Sequence, residues 1–148
     1  MYEQPRILIV EDDALTALML SNLVTGLGCQ VVGLASTGPR AVALADYHRP
    51  DLVLVDAKLA KGTDGLDAAR EMREHLKLDV IVISGWTPPE DDDVLADVPW
   101  VRKPFAPEHV RQAVRSMLGS RLEAVERLVA QLAATNLKSV ALPALTAS

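Results

Sequence analysis

Short apolar runs alternate along this chain with stretches whose apolar residues recur at helical spacing. The runs are RILIV (6–10), QVVGLA (30–35), DLVLVD (51–56), DVIVIS (79–84) and PWVRK (99–103). The first, third and fourth are continuously apolar, which is typical of central parallel strands that are covered on both faces. Alternating strands and helices predict an α/β fold with a parallel sheet and right-handed crossovers.

Helical patterns follow most of these strands. After the first strand, a helical stripe consists of Leu15, Leu18, Met19 and Leu23. The stretches TGPRAVALADYH, GLDAAREMREHL and APEHVRQAVRSML predict three further helices, and the last of these should end before Gly119. The connection at 85–99 is rich in proline and acidic residues, so we expect only a short or mobile fourth helix there.

The residues after Gly119 predict a separate C-terminal element. Ser120 and Glu123 have the spacing of a capping box, which marks a helix start. The stripe of this helix, over 120–136, consists of Leu122, Val125, Leu128, Val129 and Leu132. Because an isolated helix of this length is marginal in water, the stripe should be buried against its own domain, a second copy or a partner. We therefore predict a domain over 1–119 and a helical extension with a loose tail over 120–148.

Composition narrows the class of protein. The chain has 148 residues, 49 % of them hydrophobic, which suits one domain with a substantial core. A net charge of -5 argues against general nucleic-acid binding. The single cysteine, Cys29, excludes an intrachain disulfide. No apolar run approaches the roughly 18 residues that span a bilayer, and the start shows no signal-peptide pattern, so we expect a soluble, cytoplasmic protein.

Polar residues stand where the predicted strands end. In chain order they are Glu11, Asp12 and Asp13 after the first strand, Asp56 at the end of the third, Ser84 at the end of the fourth and Lys103 after the fifth. Each alone has an ordinary explanation, and Asp13 fits a helix N-cap. Together they are specific, because sites in open parallel sheets form beyond the carboxyl ends of the strands.

The chemistry of this set is that of phosphoryl transfer. Clustered carboxylates repel one another unless a cation joins them, and hard oxygen ligands select Mg²⁺. A lysine and a hydroxyl can form hydrogen bonds to the oxygens of a phosphoryl group. Phosphoryl transfer needs mainly positioning and charge neutralisation. Asp56 would then be the nucleophile that forms an aspartyl-phosphate.

The motifs ILIVEDD, PDLVLVD, VISG and VRKPF resemble the receiver domain of bacterial two-component response regulators, over roughly residues 5 to 118. The resemblance implies a flavodoxin-like (βα)5 fold, a doubly wound five-stranded sheet of order 2-1-3-4-5. It also implies a phosphoacceptor, Asp56, assisted by Ser84 and Lys103. The implied Mg²⁺ ligands are Glu11, Asp12, Asp56 and the backbone carbonyl of Lys58, and the implied switch pair is Ser84 and Trp100.

Function follows from the same resemblance. The protein would take a phosphoryl group from a histidine kinase or phosphotransfer protein and would signal through a conformational switch to a target protein. It would catalyse its own phosphorylation and dephosphorylation without being an enzyme in the usual sense. The short C-terminal extension favours output through protein–protein contact, including a possible homodimer, and neither nucleic acid nor membrane is expected as a partner.

The sequence departs from the family pattern in three places. The loop after the phosphoacceptor reads LAKGTDG, without the usual proline and one residue longer. The stretch ISGW and the proline-rich connection are similar to single-domain receivers paired with HWE-type histidine kinases, where a Thr-Gly-Tyr triplet occupies this place. The switch aromatic is Trp100, which is an unusual choice.

Three other functions compete with this one. A dehalogenase-type phosphatase needs a second acid two residues after the nucleophile, where this chain has Lys58. A flavodoxin-like nucleotide binder needs a phosphate loop after the first strand, where the three acids from Glu11 to Asp13 would repel phosphate. A receiver that acts as an interaction module without phosphorylation stays open as the alternative, although the complete site set argues against it.

Overall fold

The structure, a computed structural model, describes residues 3–59 and 64–147, with side chains up to residue 136. Its sheet consists of β1 (Arg6–Val10), β2 (Gln30–Ala35), β3 (Leu52–Asp56), β4 (Val80–Ser84) and β5 (Trp100–Arg102). All neighbouring strands are parallel, and their order is β2-β1-β3-β4-β5. This confirms the predicted doubly wound sheet and its strand order.

Four helices lie within the described residues: α1 (Ala14–Gly26), α2 (Gly38–His48), α3 (Gly65–Glu74) and α4 (Pro107–Ala147). Asp13 caps α1 as predicted, because its carboxylate accepts the backbone N–H of Thr16 at 3.0 Å. Thr37 and Asp64 cap α2 and α3 in the same way. None of the described helices is long and apolar enough to cross a membrane.

The helices cover both faces of the sheet. Successive strand residues point to opposite faces, so Ile7 packs with α1 and α4 while Leu8 packs with α2 and α3. The central strands β3 and β4 are buried at every position. This burial on both faces explains why their sequences are continuously apolar.

The predicted stripe of α1 only partly coincides with its buried face. Leu23 is buried, but Leu15 and Leu18 are 77 % and 56 % exposed. The core contacts come instead from a set that includes small residues, namely Ala17, Leu20, Leu23 and Val24. Large apolar side chains of α1 therefore face outward.

The connection between β4 and β5 contains no helix in the structure, so the short fourth helix of the prediction is not formed. Residues 90–97 make turns instead. Leu95 is 2 % exposed and anchors the segment in the core. Arg70 and Arg73 of α3 form ion pairs with Asp92 and Asp97. The acidic residues that weaken the helical pattern thus fasten this segment to α3.

The C-terminal helix differs most from the prediction. The end at Gly119 and the new start at Ser120 are wrong, since α4 continues through both and extends to Ala147, where a loose tail was expected. A glycine inside a helix costs about 1 kcal/mol relative to alanine. Burial of Leu118 and Leu122 on either side of Gly119 outweighs that cost. The division into 1–119 and 120–148 stays a prediction.

Candidate functional site

The carboxyl ends of four neighbouring strands bring the predicted site residues to one edge of the sheet. Glu11 follows β1, Asp56 ends β3, Ser84 ends β4 and Lys103 follows β5. Among the described residues, Glu11, Asp56 and Ser84 are the buried polar side chains, with exposures of 6 %, 6 % and 1 %. Burying polar groups is unfavourable without partners, so their concentration at one edge indicates a site.

Three carboxylates meet at this edge. Glu11, Asp12 and Asp56 each offer an oxygen, and these oxygens lie within 4.8 Å of one another. Glu11 and Asp56 are buried, whereas Asp12 is exposed. The donor set is therefore all oxygen and open on one side, which is the environment that Mg²⁺ prefers because it keeps some of its waters.

Lys103 connects the strands across the site. Its Nζ lies 3.0 Å from Oδ2 of Asp56 and 3.9 Å from Oε1 of Glu11. Its backbone N–H donates to the carbonyl of Ser84 at 2.8 Å, and its bond to Pro104 is cis. The other oxygen of Asp56, Oδ1, accepts the backbone N–H of Lys58 at 3.1 Å. Both oxygens of Asp56 are thus held in place.

Burial and the neighbouring Asp56 shift the pKa of Glu11. Burial, followed by the hydrogen bond and the charge of Asp56, raises the pKa of Glu11 to about 8, although the backbone N–H of Asp13 and the charge of Lys103 oppose the shift. One lysine thus does not balance the buried carboxylates. A divalent cation would relieve that imbalance, so the residues present fit a metal ion.

Ser84 and Trp100 are linked through the backbone of Trp86. The N–H of Trp86 donates to Oγ of Ser84 at 3.0 Å. The carbonyl of the same residue accepts from the indole Nε1 of Trp100 at 2.8 Å. Displacement of the Ser84 hydroxyl would therefore disturb a residue that also holds the Trp100 ring.

Lys58 and Trp86 form a pair beside the carboxylates. The Nζ of Lys58 lies 4.5 Å from the centroid of the Trp86 ring, within the range of a cation–π interaction. Trp86 is 60 % exposed. The role of the Lys58 carbonyl as a metal ligand remains a prediction.

Gly65 is a site residue that the sequence analysis did not single out. A Cβ at this position would lie 1.8 Å from the backbone oxygen of Asp56, so no side chain fits. Its N–H donates to the carbonyl of Ala57 at 3.0 Å. The final glycine of LAKGTDG was the available signal. The predicted extra loop residue falls in 60–63, outside the described residues.

Residues 7–115 match the family model of the response regulator receiver domain. Together with the sheet order and the acidic edge, this shows that the chain belongs to the response regulator receiver family. Receiver-domain regulators are signalling proteins that interact with kinases or phosphotransfer proteins, and they are not classical enzymes.

Named relatives support the same family. The phyllosphere-induced regulator PhyR of Methylorubrum extorquens is 37 % identical over 120 residues, which cover 76 % of this chain and 43 % of PhyR. The transcriptional regulatory protein PdtaR of Mycobacterium tuberculosis is 38 % identical over 82 residues, or 55 % of this chain and 40 % of PdtaR. The chain thus spans less than half the length of either.

A solved receiver domain has the same architecture. The solution structure of the PhyR response regulator REC domain from Erythrobacter litoralis superposes with a TM-score of 0.67 at 29 % sequence identity. The similarity covers 78 % of this chain and 90 % of that domain. Nearly the whole of that domain therefore has a counterpart here.

Proposed function

We propose that this protein is a phosphoacceptor response regulator whose Asp56 takes a phosphoryl group from a histidine kinase or a phosphotransfer protein. One observation carries the proposal. The buried carboxylate of Asp56 has one oxygen on the amine of Lys103 and the other on the N–H of Lys58, beside the acids Glu11 and Asp12. This arrangement orients a nucleophile and concentrates charge as phosphoryl transfer requires.

The transfer uses one oxygen of Asp56 as the nucleophile. That oxygen forms a bond to phosphorus while the bond from phosphorus to the imidazole nitrogen of the donor breaks, and the electron pair stays on the imidazole. The amine of Lys103, already 3.0 Å from Oδ2, offsets the negative charge brought by the phosphoryl group. The backbone N–H of Lys58 keeps the carboxylate oriented.

A magnesium ion belongs to this proposal. Glu11, Asp12, Asp56 and the carbonyl of Lys58 would hold it. When bound, Mg²⁺ supplies positive charge and a coordination position for phosphoryl oxygens. Burial and the neighbouring Asp56 raise the pKa of Glu11, and the positive charge of the ion would oppose both effects.

The test is labelling by a small phosphodonor. Acetyl phosphate with Mg²⁺ should add the mass of one phosphoryl group, read by mass spectrometry of the intact protein, and chelation of the metal should abolish the addition. Asp56→Asn should remain unlabelled. Asp13→Asn is a matched control, because asparagine also caps helices and this variant should still be labelled.

Failure of the unmodified protein to label with acetyl phosphate or a cognate kinase would contradict the proposal. That result would instead favour the alternative of an interaction module that works without phosphorylation. Labelling that persists in Asp56→Asn would show that the wrong acid has been assigned.

The proposed output is a switch at Ser84 and Trp100. A phosphoryl oxygen on Asp56 would accept a hydrogen bond from the Ser84 hydroxyl and draw its oxygen away from the N–H of Trp86. The resulting shift of the Trp86 backbone would release the indole of Trp100 from its 2.8 Å hydrogen bond. Such a local charge change can bias a two-state element that a target protein reads.

Fluorescence measures this switch directly. In a Trp86→Phe background, Trp100 is the single tryptophan of the chain, and its emission should change when beryllofluoride and Mg²⁺ are added. Adding Ser84→Ala to that background should suppress the change, because the hydroxyl that senses the phosphoryl group is gone. An equal response with and without the Ser84 hydroxyl would refute the coupling.

A further inference from the structure

The end of α4 leaves the domain with an uncovered apolar face. Leu122 and Val125 are buried, and Val125 packs beside Gly28 in the turn between α1 and β2. From Glu126 to Asn136 every side chain is exposed except Leu128, which is half-buried. Val129 and Leu132 are 59 % and 55 % exposed. This stretch continues for about 16 Å beyond the last buried contact.

The exposed residues continue a regular seam. Leu118, Leu122, Val125, Val129 and Leu132 are separated by four, three, four and three residues, which is the heptad spacing of a helix that packs on another helix. The seam drifts by only about 20° over seven residues, so Val129 and Leu132 lie on the same face as Leu122 and Val125. Its first part is covered by the protein's own domain, and its last part is not.

The composition of this stretch suits a second copy of the same chain. A two-fold interface places identical surfaces against each other, so charges at its centre would meet like charges. The sequence LVAQLAATN, over 128–136, contains no charged residue, and three of its nine residues are alanines that allow helices to approach closely. A helix that faced water on all sides would instead carry charges around its circumference. The chain as a whole has a net charge of -5, so two copies would repel each other at most surfaces. The uncharged stretch over 128–136 avoids that repulsion and therefore favours self-association there.

The covered part of the seam decides the direction of pairing. In a parallel pair, the partner helix would run beside the whole of α4 on the seam face, where Leu122 and Val125 already contact the protein's own domain. In an antiparallel pair that crosses at Val129 and Leu132, the exposed stretches over 126–135 face each other, and the two domains lie at opposite ends of the pair. We infer that Val129 and Leu132 form the centre of an antiparallel helix–helix interface between two copies of this chain.

The first experiment measures mass in solution. The full chain should show a mass that rises with concentration towards twice 16.0 kDa by light scattering or sedimentation. Leu132→Glu, which puts like charges into the seam of both copies, should stay at 16.0 kDa. Gln131→Glu adds the same charge on the opposite side of the helix and should still dimerise. Leu132→Glu should also keep its phosphorylation at Asp56, because the site lies at the other end of the sheet.

The second experiment measures direction. Spin labels on Ser120→Cys, Arg127→Cys or Ala134→Cys, each in a Cys29→Ala background, report the distance between equivalent positions of the two copies. In an antiparallel pair centred between Val129 and Leu132, the axial separation of the labels is about 32 Å at residue 120 and about 10 Å at residues 127 and 134. In a parallel pair it is the same at all three positions.

Three results would overturn the inference. A full chain that is monomeric at every concentration would show that the face is reserved for another partner. Dimers that survive Leu132→Glu, or that are lost equally in Gln131→Glu, would place the interface elsewhere. Equal distances at the three labelled positions would show a parallel pair.

Discussion

At the scale of single residues, the site depends on close backbone approach as much as on charge. Asp56 receives Lys103 from the end of β5 and the N–H of Lys58 from its own loop. The loop returns so near that the backbone of Gly65 occupies the space where a side chain would meet the carbonyl of Asp56. A residue without a side chain thus constrains the position of Asp56, the proposed nucleophile.

Gly65→Ala should therefore disturb the site around Asp56 more than a glycine-to-alanine substitution at an open position would. The added Cβ would lie 1.8 Å from the Asp56 carbonyl, so the loop must shift, and we expect a loss of about 1–3 kcal/mol in stability together with weaker labelling at Asp56. Denaturant unfolding and mass spectrometry measure the two effects. Gly119→Ala is the control, because nothing lies within 4 Å of its Cβ and alanine favours a helix interior. Normal labelling of Gly65→Ala would contradict the steric argument.

At the scale of elements, an ion pair fastens α4 to the amino end of the sheet. Arg121 lies 2.7 Å from Asp51, whose other oxygen accepts the backbone N–H of Arg6 at 2.7 Å. Burial alone would raise the pKa of Asp51, but the hydrogen bonds from Arg121 and Arg6 outweigh it and hold that pKa below its usual range. The contact joins α4, β1 and the residue before β3 at the point where α4 leaves the sheet.

Asp51→Asn should cost about 1 kcal/mol of stability at neutral pH, because the charge partner of Arg121 is lost while an acceptor for Arg6 remains. The folded pKa lies below the unfolded value of about 3.9, so the contribution is present above pH 4 and disappears as pH falls towards the folded pKa. The difference in unfolding free energy between the unmodified protein and Asp51→Asn should therefore disappear at acid pH. Asp46→Asn removes an exposed pair with Arg49 and should have almost no effect. If that difference in unfolding free energy stayed the same at low pH, it would not come from the charge of Asp51.

At the scale of the whole molecule, α4 serves two purposes along its length. Its first part belongs to the domain, as the burial of Val110, Val114 and Leu118 shows, and that burial continues to Val125. Beyond Glu126 the helix leaves the domain. The acidic site around Asp56 lies at the carboxyl edge of the sheet and the free helix at the amino edge, so the two ends of the molecule offer different surfaces.

Two truncations separate these purposes. Ending the chain after Gly119 removes Leu122 and Val125, each worth about 1.5–3 kcal/mol when buried, so the melting temperature should fall by several degrees. Ending it after Arg127 keeps both residues and should leave the melting temperature of the monomeric domain nearly unchanged. Calorimetry at low concentration measures the difference. Equal melting temperatures for the two truncated proteins would mean that residues 120–127 do not stabilise the domain.

Local sequence patterns were enough to predict the alternation of strands and helices, the order of polar residues at the strand ends and the cap at Asp13. These features are local, because apolar periodicity and cap chemistry are complete within a few residues. The convergence of Asp56, Ser84 and Lys103 could also be predicted, since parallel strands bring their carboxyl ends to one edge.

Other features depend on contacts between residues that are far apart in the sequence, so they could not be predicted from local patterns. Gly119 has the sequence pattern of a helix end, but α4 continues through it because Leu118 and Leu122 pack on the core. The segment 85–99 forms turns where a short helix was predicted, because Leu95 is buried and arginines of α3 pair with the aspartates of this segment. The stripe of α1 could not reveal that Leu15 and Leu18 face outward. In each case the free energy of packing between remote residues exceeds the small local preference, so a local pattern could not show the result.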